Sequence, residues 1–104
     1  MPISTASAST TTSSVYTSSS NTAVTFCSIC NYTAGNVFVN VYVVPFGNIA
    51  GNTNIILAGL EITAYDTYQL YAGGEKLLLN TGDSIQLLAS GNSAIATVTS
   101  YTTL

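Results

Sequence analysis

Val37-Phe38-Val39-Asn40-Val41-Tyr42-Val43-Val44-Pro45 is the stretch that decides the fold. Side chains of a strand alternate between two faces, so Val37, Val39, Val41 and Val43 share one face. Phe38, Asn40, Tyr42 and Val44 share the other. β-Branched and aromatic residues at period two are the strongest strand signal in the chain. Pro45 has no amide hydrogen to give to a ladder and ends the pairing.

Outward from this strand the same pattern recurs in shorter pieces. Residues 23–31, 54–57 (continuing past Gly59 to Ile62), 65–71, 76–79, 83–89 and 94–101 read as further strands. Between them lie Gly35-Asn36, Gly47-Asn48, Gly51-Asn52, Gly73-Gly74, Asn80-Thr81-Gly82-Asp83 and Gly91-Asn92. Glycine reaches positive φ without a steric cost and asparagine tolerates the same region, so each is a turn signal. No stretch of ten residues keeps a helical period. Short strands with turns between them predict an all-β antiparallel sandwich, Ig-like or jelly-roll-like.

Residues 1–21 break this pattern. The run Ser4-Thr5-Ala6-Ser7-Ala8-Ser9-Thr10-Thr11-Thr12-Ser13-Ser14 is small and polar, with little apolar area to offset the entropy of ordering. It is expected to be an extended or flexible N-terminal arm preceding a sandwich domain at 22–104. Val15-Tyr16 interrupts it as a short first strand, and two readings of the arm stand side by side, a floppy terminus and an arm that orders on a neighbouring subunit.

Composition narrows the function. The chain has 104 residues, 47% of them apolar, enough for a core without disulfides or metals. Only 5% are charged, against about 25% in an average soluble domain. The five charged residues are Glu61, Asp66, Glu75, Lys76 and Asp83, so residues 1–60 carry none. A free monomer ordinarily keeps soluble through mixed surface charge. Two settings tolerate its lack: a membrane, or an assembly in which most of the surface meets other subunits. The longest apolar runs, 41–46 and 55–60, are far short of the roughly 20 residues of a spanning helix. Met1-Pro2-Ile3-Ser4-Thr5 lacks the cationic and apolar blocks of a secretory signal. An assembly is therefore expected, without a membrane. Nucleic acid is also not an expected partner, since phosphate binding needs several cations and the net charge is −3.

The candidate chemical motifs are thin. Cys27-Ser28-Ile29-Cys30 has the spacing of a zinc half-site or a redox pair. The chain has no histidine and no third cysteine to complete a zinc site. A redox motif needs a helix start, and these residues lie in a predicted strand, with the two thiols on opposite faces. They read as small, buried apolar residues. Four carboxylates supply no spacing that defines an acid–base pair, and no histidine is present to activate a hydroxyl. No catalysis and no cofactor are expected. Seven tyrosines raise a sugar-binding reading, with Tyr65 and Tyr71 on one strand face and Tyr68 on the other. Subunit contact is the stronger reading of such residues. Phe46, at a loop tip, is either a plug into its own sandwich or an anchor into a neighbour. Val15, Tyr16, Phe46, Tyr65 and Tyr71 are thus the candidate partner contacts. Asn31-Tyr32-Thr33 fits the N-glycosylation pattern but reads as a turn.

Taken in order, residues 23–31 and 37–45, Ile62-Thr63-Ala64, Thr67-Tyr68-Gln69-Leu70, Leu77 to Gln86 and Ala94 to Tyr101 resemble the short β-sandwich virion proteins of tailed bacteriophages, including those of cyanobacteria. The resemblance covers about residues 15–104, and its most specific piece is the Leu79-x-x-Gly82-Asp83-Ser84-Ile85 element. Such proteins often carry a glycine where this chain has Tyr65, so that turn is expected to differ. The resemblance implies a virion structural protein without catalysis or cofactor. A capsid decoration or cement protein is expected, with the major capsid protein as partner and a homo-oligomer as its state. The alternatives are a neck, tail or baseplate part, or a carbohydrate-binding module.

Overall fold

The computed structural model describes residues 3–8, 10–70, 77–91 and 95–103. Nine strands follow in chain order: β1 (Ile3–Ala8), β2 (Ser13–Thr17), β3 (Thr22–Asn31), β4 (Val37–Val44), β5 (Ile55–Ile62), β6 (Thr67–Leu70), β7 (Leu77–Leu79), β8 (Ser84–Ala89) and β9 (Ile95–Thr103). They form two antiparallel sheets packed face to face. One sheet has the order β1-β9-β3-β6, with β7 also on β3; the other has the order β2-β8-β4-β5. Strands β6 and β7 share the far side of β3, facing Cys27–Cys30 and Thr22–Val24 respectively.

The core follows from the alternation. Val37, Val39 and Val41 are buried on the inner face of β4, with Val43 packed against them. They meet Ile85, Leu87 and Ala89 of β8, which pair with Val43, Val41 and Val39 in register. The opposite sheet contributes Val24 and Ile29 from β3 and Ile95 from β9. Burying side chains of this size stabilises the fold by about 1.5–3 kcal/mol each.

The N-terminal segment corrects the reading of residues 1–21 as an arm. β1 pairs with β9 through six consecutive residues, Ile3↔Ser100 to Ala8↔Ile95. β2 pairs with β8, with a bulge at Val15 between Ser14↔Gln86 and Tyr16↔Ile85. The two strands close one lateral edge of the sandwich. In β1, Ser4, Ala6 and Ala8 turn inward, and Ile3, Thr5 and Ser7 turn outward. The small inward residues let β1 lie over the core end, and Ala8 is almost wholly buried. Composition alone hides such a strand, because its order comes from the β9 ladder rather than from its own apolar content.

Strand bounds elsewhere shift by a few residues from the sequence expectation. β5 does run on to Ile62, and Gly59, at φ 64°, absorbs an irregularity there. The Gly59 amide donates to Asn40 Oδ1 at 2.7 Å. The segment expected as a strand from 65 begins only at Thr67, because Tyr65 sits in the preceding turn at φ 59°.

Candidate contact surfaces

The sandwich has two ends, each a cluster of turns. At one end, Asp83 ties three chain segments together. Its Oδ1 accepts from the Phe46 amide and its Oδ2 from the Asn80 amide, both at 2.9 Å. Its own carbonyl accepts from the Ser18 amide, and the Ser18 carbonyl accepts from the Gly82 amide. Gly82 stands at φ 91°, and a Cβ there would lie 2.4 Å from Phe46 Cδ1. The Gly82-Asp83 pair therefore needs glycine twice, for its backbone and for the close approach of Phe46. Asp83→Ala removes two charge-assisted bonds and is expected to lower stability by about 2 kcal/mol. Urea midpoints of the two proteins check this, and an unchanged midpoint would show the loops hold together without the carboxylate.

Phe46 is 77% exposed at this end, although one side of its ring covers Gly82. Ile49, three residues on, is also exposed. The loop that carries them is braced from within. Asn54 Oδ1 accepts from the Gly51 amide at 3.0 Å, and Asn54 Nδ2 donates to the Ile49 carbonyl at 2.9 Å. Two large apolar side chains thus stand on a structured loop.

At the other end, Asn31 is the hub. Its side chain is fully buried. Nδ2 donates to the carbonyls of Gly35 at 2.7 Å and Ile62 at 3.0 Å, with Thr63 O at 3.3 Å. Oδ1 accepts from the Thr33 amide at 3.0 Å and from Thr33 Oγ1 at 2.7 Å. The Asn31-Tyr32-Thr33 sequence is accordingly the turn it was expected to be, with its amide nitrogen committed to carbonyls. Tyr65 joins this end through its amide, which donates to Thr33 O at 3.2 Å. Its side chain is 71% exposed, near the exposed Tyr32 turn.

The left-handed conformation costs a non-glycine residue about 1–2 kcal/mol. Replacing Tyr65 by glycine removes that cost and adds about 0.4–1 kcal/mol of unfolded-state freedom, so Tyr65→Gly is expected to gain about 0.5–1 kcal/mol. The urea midpoint measures this, and a fall would mean that the ring contributes packing despite its exposure.

The five candidate contacts separate accordingly. Phe46 and Tyr65 lie exposed at opposite ends. Val15 is 3% exposed and Tyr16 7%, so both belong to the core rather than to a partner surface. The Tyr16 and Tyr101 rings meet at a centroid distance of 4.8 Å. Tyr71 lies outside the described residues, as do Glu75 and Lys76. A row of tyrosines along one strand does not form, since Tyr65 is in a turn. Tyr68 pairs with the inward-facing Ile29.

Sequence reasoning missed a shallow depression of about 360 Å³ on the outer face of β4 and β8, lined by Phe38, Asn40 and Leu88 among others. The alternation that placed Phe38 and Asn40 on the outer face of β4 was the signal for it. The remaining described carboxylates are held in turns and pairs: Glu61 Oε2 accepts from Asn36 Nδ2 at 3.1 Å, and Asp66 Oδ1 from the Thr67 amide at 2.8 Å. Cys27 faces the interior, where burial pushes its thiol pKa up against a smaller opposing effect of the Thr99 hydroxyl, 3.8 Å from Sγ. Cys30 is half-buried on the other face, and both thiols are free. Among the described residues no group of three or more histidine, cysteine or acidic side chains is placed to hold a metal. No described helix is long and apolar enough to cross a membrane.

The fold and these surfaces define an all-β, two-sheet protein. No family model, curated protein or solved structure matches the chain.

Proposed function

We propose that this chain is a structural protein of a tailed-bacteriophage virion, a capsid decoration protein that binds neighbouring subunits. The observation that carries a structural role is the surface. Residues 1–60 bring no charge to it, and Ile3, Phe46, Ile49 and Tyr65 stand out from it. Apolar side chains standing out from an edge strand and from turns suit permanent burial against other subunits. The strand order supports the virion reading. With β6 and β7 counted as one broken edge, the sheets β1-β9-β3-β6 and β2-β8-β4-β5 have the arrangement of a jelly roll, the double Greek key of many capsid and lectin domains. That support is an analogy of fold, and it agrees with the resemblance of residues 15–104 to phage sandwich proteins. Catalysis has no part in this reading.

Copy number in purified particles, by quantitative mass spectrometry against the major capsid protein, tests it. A count comparable with the capsid lattice is expected. A few copies per particle would move the protein to the neck, tail or baseplate, and absence would end the virion reading.

A carbohydrate-binding module is the second reading, favoured by the exposed Tyr65 and Tyr32 at one end of a lectin-like strand order. It requires saturable glycan binding that Tyr65→Ala abolishes. A blank glycan array with folded protein would remove it.

A further inference from the structure

We infer that β1 is the assembly edge of this protein, and that two copies join by pairing their β1 strands antiparallel about a two-fold axis at Thr5. An edge strand shows a row of backbone groups to any strand that approaches, and proteins blunt such edges with bulges, charge, proline or shortness. The other edges here carry those devices. β2 has a bulge at Val15. β5 has two irregularities in its register with β4, a glycine at positive φ and the charged Glu61. β6 has four residues and follows Asp66; β7 has three. β1 has none of them within its six residues, although Pro2 precedes it in the sequence. Its six residues pair with β9 without a register shift, contain no charge, proline or glycine, and have no strand on their other side among the described residues.

A second copy of this chain fits the edge because the strand is self-complementary. In an antiparallel pair, directly opposite residues share a face. Centring the pair on Thr5 sets Thr5 against Thr5 of the second copy, Ile3 against Ser7, and Ser4 against Ala6. Outward residues then meet outward residues, and inward meet inward, so both sandwiches keep their cores on the same side of one continuous sheet. A central Thr–Thr pair is a favourable cross-strand contact. Ile3, 64% exposed in the single chain, gains a neighbour across the join. β1 carries no charged side chain to repel a copy of itself. A two-fold contact also closes, giving a dimer rather than a fibre. The interface is one strand wide, smaller than the roughly 1,200–2,000 Å² of a stable complex, so the dimer is expected to be weak in dilute solution. It strengthens where neighbouring copies are already held close.

Sedimentation of the isolated protein up to about 1 mM, where an affinity of that order registers, is the test. The wild type is expected to move with concentration from 10.7 kDa to twice that mass. Thr5→Lys sets like charges directly opposite and is expected to stay at the single-chain mass with an unchanged near-ultraviolet tyrosine spectrum. Thr5→Cys in a Cys30→Ser background is expected to form a disulfide-linked dimer on mild oxidation. A wild type that remains monomeric throughout, a Thr5→Lys dimer as tight as the wild type, or thiols that do not cross-link would each overturn the pairing. The result is separable from the virion reading: a monomer present in particles discards the β1 contact alone, and a dimer absent from particles discards the virion role alone.

Discussion

Deleting residues 1–17 is expected to abolish cooperative unfolding, leaving a chain with no native near-ultraviolet tyrosine signal. The deletion removes β1 and β2 together. Val15 and Tyr16, both in the core, go with them, and so does the contact of Tyr16 with Tyr101. The loss uncovers Ile85 and Leu87 from one sheet and Ile95 from the other, and leaves β8 and β9 as new unpaired edges. Two such side chains contribute about 3–6 kcal/mol by burial, and the ladders add to that. A small domain has about 5–15 kcal/mol in total. Tyr16→Ala alone is expected to cost about 3–5 kcal/mol, the range for removing a buried ring, so the point variant shows the same dependence in a chain that still folds. Urea titration followed by tyrosine emission suits a protein with seven tyrosines and no tryptophan. A truncated chain that kept the full-length midpoint would restore the picture of an arm outside the sandwich.

Asn31→Ala is expected to lower stability by about 3 kcal/mol, more than any single surface change, because it leaves buried carbonyls without donors. The amide of Asn31 holds three segments together, its own turn through Gly35, the end of β5 through Ile62, and the approach to β6 through Thr63, and the exposed Asn36 side chain adds bonds to Glu61 and to the Ala64 amide. A methyl group satisfies none of them, and the Thr33 amide loses its acceptor as well. Asn31→Asp is expected to be no better at neutral pH, since a carboxylate turns acceptors toward those carbonyls. Asn31→Gln keeps the chemistry but not the reach, and serves as the control for size. Equilibrium denaturation of the three variants checks the ordering. If Asn31→Ala fell within about 0.5 kcal/mol of the wild type, as inert surface changes do, the hub would be dispensable.

These two residue sets show where sequence reading succeeds and where it stops. β4 was legible because its alternation is carried by its own side chains, four valines on one face and Pro45 as the end. The Gly82-Asp83 turn was legible because positive φ selects glycine locally. Asn31 was legible as a turn, but its acceptors at Ile62 and Thr63 come from residues that only folding brings near. β2 was legible only through Val15-Tyr16, and β1 was read as part of an arm because serine, threonine and alanine hold no local preference strong enough to declare a strand. An alternation was present in β1, Ala6 and Ala8 inward against Thr5 and Ser7 outward, yet it is uninterpretable until β9 is there to pair with. Of the candidate contacts, Phe46 and Tyr65 are exposed and Val15 and Tyr16 are buried, a division the sequence does not show, since exposure depends on what packs above a residue.

By itself the sequence determined an all-β chain, its main strands and turns, and a surface starved of charge, because side-chain alternation, positive-φ glycine and ionisable residue counts are local properties. Only the tertiary structure decided that β1 and β2 complete the core, which strands neighbour which, and which edge is left open. Those are set by long-range pairing, where a strand's partner lies tens of residues away and its stability comes from that partner.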